Sequence, residues 1–191
     1  MKNANSLKVL FLSTYPPREC GIATFTQDIV RELKKGDEII PKVAAISLGG
    51  EKYDDDVLFS FRQDSESAYP RVAEETNASG ADLLMVEHEY GIFGGPDGAW
   101  LLELLQGLEI PYLLTCHTVL PHPSEGKREV LATACAGAAG IVTMSKLSKK
   151  MLAQVYGAYP EKISVLTHGV PDIKMEDRET MKQREGFGAH V

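Results

Sequence analysis

Seven apolar runs of strand length alternate with segments of helical periodicity along this chain, and few folds accept that order. The strand readings are Lys8–Ser13, Lys42–Leu48, Val57–Phe61, Leu83–Glu87, Tyr112–Cys116, Gly140–Met144 and Ile163–Leu166. Several are apolar nearly throughout, as strands buried on both faces must be. The helical readings between them are Gly21–Lys35, Ala68–Ala78, Gly98–Leu108, Lys127–Ala138 and Lys146–Tyr156. Ile22, Phe25, Ile29, Val30 and Leu33 form one apolar stripe on the first. Pro70 marks the start of the second, and Ser145 is placed to cap the last. The alternation predicts an α/β fold, a doubly wound, Rossmann-like parallel sheet with helices on both faces. Ligands of such sheets sit beyond the C-terminal strand ends, so the segments after Ser13, Glu87, Cys116, Met144 and Leu166 are the places to search.

Bulk properties remove several function classes. The 191 residues carry a net charge of −7, which argues against a broad nucleic-acid face. Cys20, Cys116 and Cys135 are too widely spaced for a zinc knuckle or a C-x-x-C redox pair, and they suit a reducing compartment. The N-terminal apolar stretch is too short for a signal peptide, and the segment Trp100–Cys116 is broken by charges and Pro111. No transmembrane segment is expected, and a soluble cytoplasmic protein is.

Three strand-end loops carry candidate chemistry. In the first, Gly21 and Ile22 open a helix whose free N–H groups suit a phosphate. In the second, His88, Glu89 and Tyr90 lead into a glycine loop with Gly94 and Gly95. It has neither the Lys-Ser/Thr of a Walker A loop nor dinucleotide-fingerprint spacing. In the third, His117 follows a strand directly, where an imidazole can reach the crevice and donate hydrogen bonds. His88, His117 and His168 could converge, although their spacing matches no zinc signature and no metal is expected. His122 is a further loop histidine. The triplet Asp54–Asp56 reads as a solvated acidic turn, and Glu66 and Glu74 as a chance pair. Lys146, Lys149 and Lys150 open a helix against the dipole preference and read as a solvated face.

Taken in order, five segments resemble glycosyltransferase family 4, a large retaining family of the GT-B type. They are Ser13–Thr26 (STYPPRECGIATFT), Val86–Gly98 (VEHEYGIFGGPDG), Leu113–Val119 (LLTCHTV), Val142–Leu152 (VTMSKLSKKML) and Tyr159–Asp172 (YPEKISVLTHGVPD). The resemblance implies the N-terminal, acceptor-side half of a two-domain enzyme, with residues 1–173 as the domain and 174–191 as a linker or exposed tail. It implies that the domain binding the nucleotide-diphosphate sugar is absent, to be supplied in cis or in trans. It also implies transfer without a resident cofactor or metal, to a small-molecule, glycan or lipid acceptor. By resemblance His117 would contact the donor sugar, and Gly21 and Ile22 its diphosphate. His88, Glu89, Tyr90, Gly94, Gly95, Ser145 and His168 would shape the acceptor side.

Two other readings stand beside this one: a non-catalytic acceptor-binding module, and one subunit of a split glycosyltransferase. Self-association through an uncovered cleft wall is a further expectation.

Overall fold

The computed structural model describes residues 6–170 and 176–187. The elements run β1 (Leu7–Ser13), α1 (Gly21–Leu33), β2 (Ile39–Ser47), β3 (Val57–Arg62), α2 (Ala68–Ala78), β4 (Leu83–His88), α3 (Leu101–Gln106), β5 (Tyr112–Cys116), α4 (Glu125–Gly137), β6 (Gly140–Thr143), α5 (Lys146–Tyr156), β7 (Ile163–Val165) and α6 (Arg178–Arg184). All seven strands are parallel, in the order β3-β2-β1-β4-β5-β6-β7. The order reverses between β1 and β4, which is the switch point of this Rossmann-like sheet.

Strand periodicity sorts the core into two faces. Leu10 and Leu12 of β1, Leu84 and Val86 of β4, and Leu114 and Cys116 of β5 join α2, α3, α4 and α5 in one large cluster. Val9 and Phe11, with Val43 and Ala45 of β2, face Val30 of α1 in a smaller one. Helices lie on both faces, as expected, but unequally: α1 on one, and α2, α3, α4 and α5 on the other. Every crossover from β3 onward steps in one direction across the sheet, so right-handedness sends all their helices to the same face. The connection from β2 to β3, residues 48–56, contains no helix. On the α1 side, Met85, Leu113 and Val142 therefore remain half-buried.

Element limits differ from the sequence reading mainly at α3, which is five residues shorter than expected. A separate 3-10 turn at Pro96–Gly98, with Gly98 at φ 81°, keeps that stretch out of the α-helix. The predicted domain limit at Ile173 lies outside the described residues. Within the tail, α6 is exposed along most of its length.

Tyr69 anchors the loop that follows β4. Its ring is fully buried against Phe61 and Trp100. Its hydroxyl donates to the Gln63 carbonyl at 3.0 Å and accepts from the Gly94 amide at 2.6 Å. Removing that oxygen leaves two backbone groups unpaired in a buried place, which costs more than one average hydrogen bond. Tyr69→Phe should lower the unfolding free energy by about 2 kcal/mol in urea titrations; an unchanged midpoint would contradict this anchoring.

Candidate functional site

The loops after β1 and β4 flank the switch point, and hydrogen bonds join them. Arg18 Nη2 donates to Gln63 Oε1 at 2.9 Å, and Gln63 Nε2 donates to the Gly91 carbonyl at 2.9 Å. Segments following β1, β3 and β4 are thereby held as one rim. At the start of α1 the Cys20 side chain is the N-cap, accepting from the Ala23 amide and contacting Thr14 Oγ1 at 3.0 Å. Sulfur is a weak acceptor, so this cap leaves much of the N-terminal partial charge unspent. A Cβ added to Gly21 would meet nothing within 4 Å, so the first turn opens onto free space. A Ser13–Thr26 hydroxyl pair at 2.6 Å fixes the helix against the end of β1.

Beside α1, His117 Nε2 lies 2.8 Å from Glu87 Oε2. Glu87 is 1% exposed and the His117 side chain 10%. Burial pushes the Glu87 carboxyl above its ordinary range, and the His117 hydrogen bond and charge work against that push. The Phe25 ring packs edge-on to His117 at 4.8 Å and tilts against the exposed His168 at 5.2 Å. Glu89 accepts a hydrogen bond from the Thr118 hydroxyl, which ties the β4 loop to the residue after His117. Gly21 and Ile22 through α1, Glu89, His117 and His168 thus stand at one end of the sheet.

The remaining expected residues divide differently. His88 does not join His117, because successive strand residues point to opposite faces. It is buried on the far face against Tyr90 and Phe93, and neither ring nitrogen has a hydrogen-bond partner. Burial, with the His117 charge second, lowers its pKa to about 4, so the ring stays neutral. Tyr90 is also buried, and burial with the nearby Tyr156 hydroxyl holds its phenol well above the ordinary range. Gly94 sits where a Cβ would strike the Gln63 carbonyl and the Trp100 ring, and Gly95 adopts φ 79° beside the same indole. These two glycines serve close packing within the loop. Ser145 caps α5, accepting from the Ser148 amide at 3.0 Å.

Other segments resolve into structural roles. Asp56 pairs with Lys34 and accepts from Tyr15 Oη at 3.1 Å, while Asp54 and Asp55 are exposed. Lys149 donates to the Ile163 carbonyl at 2.6 Å instead of facing solvent. His122 is exposed on the loop before α4. A cleft of about 490 Å³ lies at the opposite end of the sheet, between Leu105, Leu108, Ile110 and Tyr112. Its walls are largely apolar and offer no acid–base pair. Among the described residues, no helix is long and apolar enough to cross a membrane, and no cluster of three or more His, Cys, Asp or Glu is placed to hold a metal ion.

The sequence model of Glycosyltransferase Family 4 matches residues 21–172. The chain belongs to this family. Its fold is similar to that of a glycosyltransferase from Rickettsia africae ESF-5, with a TM-score of 0.65 at 18% sequence identity. That alignment covers 98% of this chain and 51% of the other, so the family 4 chain spans about half the length of that structure. No curated protein matches it.

Within this family 4 domain, sequence reading missed Glu87, Phe25, Arg18 and Gln63. Glu87 did carry a signal, as an acidic residue ending an otherwise apolar buried strand, where charge must be paired. The others became visible only through contacts between distant segments.

His88 generates a pH test. The unfolded imidazole, near its ordinary 6.5, takes up a proton as pH falls, while the buried ring, held to about 4, does not. Stability is therefore full above the unfolded value and falls as pH drops from there toward about 4. In urea unfolding, the loss between about pH 7 and about pH 5 should be greater for wild type than for His88→Leu by about 2 kcal/mol. Glu87 titrates with the opposite sign but is common to both proteins. Equal losses would contradict the account.

Proposed function

We propose that this chain is the acceptor-side half of a retaining GT-B glycosyltransferase. It would move a sugar from a nucleotide-diphosphate sugar to a carbohydrate or lipid acceptor in the cytoplasm. The observation that carries the reading is the meeting of the open α1 N-terminus with the Glu87-held His117 at the switch point, in a member of family 4. As the glycosidic bond breaks, negative charge grows on the leaving diphosphate and the sugar becomes oxocarbenium-like. The N–H groups at Gly21 and Ile22, with the α1 dipole behind them, are placed to meet that charge. His117 contacts the sugar beside the reacting carbon. Glu89, held by Thr118, borders the acceptor side.

This reading draws on no resident cofactor and requires a donor-binding domain, supplied in cis or in trans, to close the cleft. Leu147, Leu166 and Val170 are 65%, 59% and 86% exposed beyond the ends of β6 and β7, a degree of apolar exposure that suits a covering partner or self-association.

The 191-residue chain alone should transfer no sugar from any nucleotide sugar, and turnover by the purified chain would overturn this reading. Joined to its donor domain, His117→Ala should cut kcat at least about tenfold, or about 1.4 kcal/mol of barrier. Unchanged kinetics would remove His117 from the site.

A further inference from the structure

Glu87 and His117 form a pair whose geometry says more than proximity. The Glu87 carboxyl is almost wholly buried, and the His117 imidazole is the one basic side chain within ion-pairing distance of it among the described residues. Glu87 Oε2 and His117 Nε2 cannot both be acceptors, so one proton lies between them; with Glu87 ionised, as its His117 contact favours, that proton is on Nε2. A neutral ring carries one proton. Placing it on Nε2 leaves Nδ1 with a lone pair. Among the described residues Nδ1 has no hydrogen-bond partner, and the side chain, 10% exposed, packs against Phe25, which also touches His168. Phe25 packs edge-on against the His117 ring from α1.

We propose that Glu87 is a positioning residue that fixes His117 in the Nε2–H tautomer, so that Nδ1 is presented to the cleft as a hydrogen-bond acceptor for a sugar hydroxyl. The class of ligand contact follows from the tautomer. A lone pair accepts from a hydroxyl and is repelled by a phosphate oxygen, so this ring selects the sugar and leaves the diphosphate to the α1 N-terminus. His88, the adjacent histidine, cannot substitute, because its nitrogens are sealed on the opposite face. The inference rests on the proposed sugar-binding role for its consequence, while the tautomer itself is a property of the chain.

The test is long-range proton–nitrogen NMR of the histidine-labelled 191-residue chain at about pH 8, where a neutral imidazole has its ordinary form. His117 should show a single Nε2–H tautomer. In Glu87→Gln the neutral amide can either donate or accept, so the tautomer should become mixed or shift to Nδ1–H. Glu87→Asp, which keeps the carboxylate, should retain Nε2–H and serves if the glutamine variant does not fold. A wild-type ring in the Nδ1–H form, a mixture in wild type, or an unchanged tautomer in Glu87→Gln would each overturn the proposal. None of these readouts needs sugar transfer. A chain with the expected tautomer but no sugar recognition would sink the functional reading and leave the Glu87 assignment standing.

Discussion

Seven strands running in one direction impose a polarity on everything else in this molecule. Each segment that leaves a strand begins at the same end of the sheet, and each one that returns ends at the other. The reversal between β1 and β4 then opens a gap at that end, because neighbouring crossovers depart to opposite faces. The Arg18–Gln63–Gly91 hydrogen bonds and the Ser13–Thr26 pair hold the edges of the gap in place. The open helix start and the buried acid–imidazole pair have meaning only because this polarity delivers them to one place.

Glu87 and His88 show how one register step divides two fates. They are consecutive on β4 and both are buried, yet only one is paired. Glu87 points toward α1 and finds His117. His88 points into the larger core, where Tyr90 and Phe93 surround it and both nitrogens stay unsatisfied. An unpartnered buried polar group costs roughly 1–3 kcal/mol, so His88 is a weak point that the surrounding apolar packing must offset. The loop after β4 is correspondingly well anchored, through Tyr69 and the packing of Trp100 on Gly94 and Gly95.

Much of the fold was legible in the sequence, because continuous apolar runs and 3.6-residue stripes report burial directly. The strand Tyr112–Cys116 and the helices Ala68–Ala78 and Lys146–Tyr156 follow from those patterns to the residue. The lopsided helix cover was not legible, since it depends on which direction each crossover takes. For the site, Gly21, Glu89, His117 and His168 could be placed at one end from strand-end position alone. The side on which each points could not. That is why His88 was grouped with His117, and why Phe25, which contacts both His117 and His168, was counted only as part of an apolar stripe. Gly94 and Gly95 suggested an open ligand loop, whereas their lack of side chains accommodates an indole.

The most direct test of the switch-point account is amide chemical-shift mapping of the isotope-labelled chain during titration with nucleotide-diphosphate sugars. The account predicts perturbations concentrated at Gly21, Ile22, His117, Thr118 and His168. Perturbations gathered instead around Leu105, Ile110 and Tyr112 at the far end of the sheet, with Gly21 and His117 unmoved, would contradict it.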